Sequence, residues 1–146
     1  MTFRNTWTDQ ATQPRGKDDQ RPSLLIADDD VVVRSALSAE LESEFYVIAL
    51  AENTAEAIEL AEKHRPDAAL LDVDMPGGGA REAVPQIATR SPDTSMVMLS
   101  ADQSDRSVLE LIDAGAIAYV RKGVTREKIA KTLENAIKAK AAHPRA

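Results

Sequence analysis

The sequence predicts an α/β domain with a doubly wound parallel sheet, five strands flanked by five helices. Three observations carry that reading. Short apolar runs recur along the chain, segments with helical apolar spacing alternate with them, and turn-forming residues separate the two kinds. A length of 146 residues suits one domain, and a hydrophobic content of 43% is ordinary for a globular protein.

The first apolar run, Ser23–Ala27, stops at Asp28-Asp29-Asp30. Val31–Ser43 then places apolar residues at 33, 36, 37 and 41, a helical spacing, with Asp30 as its expected N-cap. Phe45–Ala51 is rich in β-formers, and Thr54–His64 opens on a residue suited to capping and is closed by Pro66. Asp67–Val73 is the third strand and Met75–Gly79 a loop, in which Gly77-Gly78-Gly79 are expected to give a flexible connector. A helix over about Arg81–Arg90 follows, with Pro85 expected to delay its start or kink it. Thr94–Ser100 is a strand, Ser104–Ala114 a helix stopped by Gly115, Ala116–Arg121 a strand and Thr125–Ala139 a helix.

Before this body lie residues 1–22, polar and without apolar period, expected as a flexible tail in which Phe3 and Trp7 alone offer large apolar surface for docking. The body is expected over residues 23–140, with 141–146 as a C-terminal tail. There is no cysteine, which excludes disulfides and thiolate chemistry. Without an apolar leader or a spanning segment, the chain reads as a cytoplasmic protein that does not engage membranes. Charge is uneven within the net −6. Residues 23–120 hold 6 Lys and Arg against 19 Asp and Glu, a balance of −13, whereas residues 121–146 hold 8 against 2, a balance of +6. So acidic a body argues against direct nucleic-acid binding, while the basic end suits an acidic partner surface.

In a doubly wound sheet, ligands bind beyond the carboxyl ends of the strands. Here those ends are Asp28-Asp29-Asp30, Asp72-Val73-Asp74, Ser100-Ala101 and Arg121-Lys122-Gly123. Carboxylates brought together repel one another, and a divalent cation relieves the conflict. Oxygen donors without His or Cys favour a hard ion such as Mg²⁺. A hydroxyl and an ammonium remain for phosphate oxygens, and an Asp can serve as nucleophile.

The segments LLIADDD, DAALLDVDMPGGG, MVMLSA and GAIAYVRKG resemble the motifs of bacterial response-regulator receiver domains, over about residues 23–140. That resemblance implies a flavodoxin-like (βα)5 fold with strand order 2-1-3-4-5. The implied activity is that of a phosphoryl-accepting switch in a two-component system, not a conventional enzyme. Matched by motif, Asp72 is the phospho-acceptor, Asp28 and Asp29 the acidic pair that binds Mg²⁺, and the backbone carbonyl of Asp74 a further metal ligand. Ser100 is the hydroxyl that swings to the phosphoryl group, Lys122 its lysine partner, and Tyr119 the aromatic whose rotamer follows the switch. A sensor histidine kinase or phosphotransfer protein is implied as donor. Output is implied through the face of the fourth helix, fifth strand and fifth helix, toward a downstream protein or a second copy. Arg121, Arg126, Lys128 and Lys131 are expected to give that face its basic character.

The sequence departs from the commonest family pattern at Gly123, where many members carry proline in a cis Lys-Pro bond, so a trans bond is expected here. Asp74 and Asp102 are expected to flank the mouth of the site. A rival resemblance also exists. Asp72-Val73-Asp74 is similar to the Asp-x-Asp signature of haloacid-dehalogenase-type phosphatases, although in those enzymes the signature belongs to the first strand. Since the chain ends soon after its fifth helix, it reads either as a stand-alone regulator or as the receiver portion of a longer one.

Overall fold

The computed structural model describes residues 15–101 and 105–142. Phe3, Trp7, Asp102 and Ser104 lie outside them. Ten elements alternate: β1 (Ser23–Ala27), α1 (Val31–Leu41), β2 (Tyr46–Ala51), α2 (Thr54–His64), β3 (Ala68–Asp72), α3 (Gly79–Arg90), β4 (Ser95–Ser100), α4 (Asp105–Ala114), β5 (Ala118–Arg121) and α5 (Arg126–Ala142). All strand pairs are parallel, in the expected order β2-β1-β3-β4-β5.

Side chains on a strand alternate between faces, and that alternation divides the core in two. Leu25, Ala27, Leu71 and Met98 point toward Leu60 of α2, Ile87 of α3 and Leu111 of α4. Leu24, Ile26, Leu70, Val97 and Leu99 point the other way, onto Leu37 of α1 and Leu133 of α5. With both faces covered, β1, β3 and β4 are buried along their whole length, which is why they read as continuous apolar runs. Among the described residues no helix is long and apolar enough to cross a membrane.

Several boundaries differ from expectation for local reasons. Asp30 caps α1 as expected, its carboxylate accepting from the N–H groups of Val32 and Val33. The cap of α2 is Asn53, accepting from Glu56 N, because the adjacent Thr54 turns its hydroxyl toward the loop after β3. Helix α3 starts earlier than expected, at Gly79, and carries Pro85 inside it. Pro85 and Arg81 are both exposed, so water can satisfy the Arg81 carbonyl that loses its N–H partner. At the far end α5 continues to Ala142, past the boundary expected at 140.

The end of the expected tail is fastened rather than free. Arg21 pairs with Asp19 at 2.6 Å and donates to the carbonyls of Glu42 and Phe45, while Pro22 O accepts from Tyr46 N at 2.8 Å. The guanidinium carbons of Arg15 and Arg21 lie 4.9 and 5.8 Å from the centre of the Tyr46 ring. This strap sits at the amino-terminal edge of the sheet.

The triple-glycine loop is likewise a tied turn, not the simple connector expected. Gly77, Gly78 and Gly79 all have positive φ. Thr54 N donates to Pro76 O at 3.0 Å, Gly79 N to Thr54 Oγ1 at 2.9 Å and Ala80 N to Val73 O at 3.1 Å. At Gly79 the φ is +66° and an added Cβ would stand 2.2 Å from the Val73 carbonyl oxygen, so only glycine fits.

Candidate functional site

Strand register assembles the site. Ala27 is level with Leu71, so Asp28 and Asp72 come level one step later. Asp72 is level with Leu99, and Ser100 with Arg121, which brings Ser100 and Lys122 to the same edge. Lys122 N donates to Ser100 O at 2.8 Å and continues the ladder into the loop. The bond between Lys122 and Gly123 is trans, as expected, and Gly123 has a φ of +93°.

Oxygen atoms of Asp28, Asp29 and Asp72 lie within 4.8 Å of one another. Asp28 and Asp72 are buried, and Asp29 is exposed. The Lys122 ammonium bridges the buried pair, 3.2 Å from Asp28 Oδ2 and 3.3 Å from Asp72 Oδ2. Asp28 Oδ1 accepts from Asp30 N at 2.9 Å and Asp72 Oδ1 from Asp74 N at 3.2 Å. Asp28 Oδ2 is buried without a hydrogen bond, since the ammonium is near enough to pair but not aligned to donate. A buried anionic oxygen left over in an oxygen-only cluster fits a hard divalent ion.

Burial pushes the Asp72 carboxyl above its ordinary range. The charge of Asp28 adds to that shift, while the Asp74 N–H and Lys122 oppose it without cancelling it. Partial burial works against the charge on Lys122. The carboxylates of Asp28 and Asp72 outweigh that effect and raise the ammonium's pKa, so it stays charged.

Among the remaining expected residues, Ser100 is buried at the end of β4. The Asp74 side chain is exposed at the start of the loop, and the Asp102 expectation lies outside the described residues. Tyr119 faces outward at 40% exposure. Arg121, Arg126, Lys128 and Lys131 are all exposed, and Arg126 pairs with Glu127 at 3.3 Å.

Two features escaped the sequence reading. Arg34 is fully buried on α1 and donates to the Asp28 carbonyl at 2.7 Å. Its signal was a charged residue inside an apolar stripe, between Val33 and Leu37. On α4, Leu109 and Ile112 are exposed at 62% and 39%, adding apolar surface to an element expected only as a helix stopped by Gly115.

Residues 24–134 match the model of the response regulator receiver domain. The chain belongs to that family. This receiver is 34% identical over 117 residues to the transcriptional regulatory protein YdfI of Bacillus subtilis strain 168, a match covering 79% of this chain and 54% of YdfI. It is 33% identical over 116 residues to the chemotaxis protein CheY of Listeria monocytogenes, covering 79% of this chain and 98% of CheY. It therefore spans about half the length of YdfI and nearly all of CheY. Among solved structures, the signal receiver domain of NarL from Mycobacterium tuberculosis superposes with a TM-score of 0.78 at 26% identity, covering 82% of this chain and 98% of that one.

A receiver domain is a phosphoryl-accepting switch of two-component signalling, and that is the function of this domain. The phosphatase alternative finds no support, because the family match runs through residues 24–134 and the acidic pair follows the first strand. Receivers bind Mg²⁺ at an acidic cluster, and this chain carries such a cluster.

Proposed function

We propose that Asp72 accepts the phosphoryl group, with Asp28, Asp29, Asp72 and the backbone carbonyl of Asp74 as the protein's contribution to a Mg²⁺ site. The observation that carries this reading is the Lys122 ammonium set between two buried carboxylates, 3.2 and 3.3 Å away, beside a third. A carboxylate oxygen of Asp72 attacks phosphorus, the P–N bond of a donor phosphohistidine breaks, and an acyl phosphate forms. Lys122 then leaves the Asp72 carboxylate for a phosphoryl oxygen, and the Ser100 hydroxyl donates to another. Bound Mg²⁺ supplies the remaining neutralisation of phosphoryl charge. Hydrolysis, by attack of water on phosphorus and cleavage of the P–O bond to Asp72, resets the switch.

A sensor histidine kinase or phosphotransfer protein is the donor in this reading, within the cytoplasm. Movement of Ser100 frees space beneath β5, Tyr119 turns in, and the face of α4, β5 and α5 changes shape. Arg121, Arg126, Lys128 and Lys131 direct that face to an acidic partner, whether a separate protein, a second copy or an output domain outside this chain. The exposed Tyr119, Leu109 and Ile112 support the assignment, because a docking face needs apolar surface as well as charge. Mass spectrometry after acetyl phosphate and Mg²⁺ treatment tests the acceptor. One phosphoryl group is expected on Asp72 and none in Asp72→Asn, and undiminished labelling of that variant would sink the assignment.

A further inference from the structure

Three fully buried charges occur among the described residues, Asp28, Asp72 and Arg34. Lys122, partly buried, and Asp29, exposed, are the other charges of the cluster. The sequence reading accounts for all of them except Arg34. Its guanidinium is poorly served where it lies. Nη1 donates to the Asp28 carbonyl at 2.7 Å, Nη2 reaches Glu52 only at 3.9 Å, and Nε is buried without a partner. Glu52 is about half exposed, so water screens that pairing. Burying a guanidinium costs several kcal/mol unless a strong counter-charge is near, and one backbone carbonyl does not supply it.

That bond sets the guanidinium beside the first residue of the acid cluster. The carbonyl that holds Arg34 belongs to Asp28, the most buried member of the trio. Three carboxylates against Lys122 alone leave two uncompensated negative charges, and Arg34 reduces that excess to one. We infer that Arg34 is the second counter-charge of the acid cluster, a buried cation behind β1 that stabilises the metal-free site and competes electrostatically with the divalent ion. This rests on the Mg²⁺ reading above and adds a residue that tunes the affinity of the site. As a positioning residue, Arg34 acts on the metal through Asp28 and never touches it.

A hydrogen-bonding role and a counter-charge role predict opposite results. If Arg34 only holds the backbone, its loss loosens Asp28 and weakens Mg²⁺ binding. If it is a counter-charge, its loss leaves the cluster more negative and strengthens Mg²⁺ binding. The test uses the full chain, with melting temperatures in metal-free buffer and calorimetric titration with MgCl₂. Arg34→Met keeps most of the volume and removes the charge, whereas Arg34→Lys keeps the charge and loses the planar fork.

Mg²⁺ is expected to bind Arg34→Met about three- to tenfold more tightly than wild type, as loss of one nearby positive charge implies. Arg34→Lys should stay within about twofold of wild type, the charge being retained. Without metal, Asp72→Asn should raise the melting temperature roughly twice as much in the Arg34→Met background as in wild type, because coupled charges are not additive. Weaker or unchanged Mg²⁺ binding in Arg34→Met, or additive melting shifts, would overturn the inference. If Arg34→Met alone does not fold, recovery of folding by Asp72→Asn supports the inference and failure to recover opposes it. A wild type that binds no Mg²⁺ while the metal-free coupling persists would reject the metal reading and retain the counter-charge.

Discussion

Neutralising the proposed acceptor should stabilise the metal-free protein, and the site geometry sets how much. Asp72→Asn keeps the side-chain shape, and its amide oxygen can still accept from Asp74 N. Removing the charge ends repulsion from Asp28, at least about 3.5 kcal/mol for oxygens no more than 4.8 Å apart at an effective dielectric near 20. It also ends the attraction to Lys122, about 5 kcal/mol at 3.3 Å on the same scale. Pairwise charge from Asp28 and Lys122 therefore favours the carboxylate by at most about 1.5 kcal/mol, and the nearby Asp29 reduces that further. Burial decides the balance against it, since Asp72 is 3% exposed and a desolvated carboxylate costs several kcal/mol.

The expected gain is about 1–2 kcal/mol, or roughly 4–8 °C in melting temperature for a domain of this size. Mg²⁺ should raise the wild-type melting temperature and raise that of the variant less. The pH dependence has a definite sign. Asp72 has a native pKa above its unfolded value, so the native state holds a proton the unfolded chain has already released. Stability consequently falls as pH rises through that interval. The advantage of Asp72→Asn is fully present at neutral pH and fades as pH drops toward about 4, the unfolded carboxyl value. Thermal melts followed by circular dichroism in EDTA, with and without excess Mg²⁺, provide the assay. A melting temperature at or below wild type in EDTA would refute the claim that burial dominates the site.

Gly79→Ala should cost about 3 kcal/mol, combining the left-handed backbone penalty with displacement of the Val73 carbonyl, and urea midpoints check it. Arg21→Ala should lower stability by about 1 kcal/mol through loss of the contact with Tyr46 and the bonds to Glu42 and Phe45, whereas a free tail would show no change. Reversing Arg126 and Lys128 to Glu should leave labelling of Asp72 intact while weakening the phosphorylation-dependent complex, with the wild-type complex losing on-rate as salt rises. Surface plasmon resonance at two ionic strengths measures both effects, and equal binding by the variant would move output to another surface.

The strand ends were legible in the sequence because buried parallel strands are apolar throughout and stop abruptly at polar residues. Asp28, Asp72 and Ser100 each stand where such a run stops, Lys122 follows the shorter β5 after Arg121, and topology alone brings the four to one edge. What stayed hidden depended on partners distant in sequence. Arg15 and Arg21 lie in a polar stretch, and nothing local reveals that Tyr46 is available to them. Thr54 suits capping as well as Asn53 does, and only the packed loop after β3 decides which of them caps. Arg34 stood within an apolar stripe, but its meaning required knowing that Asp28 ends the strand beside it. Helix α3 was expected from about Arg81 with Pro85 delaying its start, but it begins at Gly79, because Pro85 is exposed and water can serve the carbonyl it leaves unpaired.

The strap of residues 15–22 meets the sheet at the amino ends of its strands, whereas the phosphoryl chemistry belongs to the carboxyl ends. A five-residue strand such as β1 separates the two poles by about 16 Å. A fluorophore or surface linker attached just ahead of Arg15 would thus be anchored on the side remote from Asp72. Such an attachment gives single-molecule or immobilised formats a handle that leaves the acid cluster and its approaching donor unobstructed.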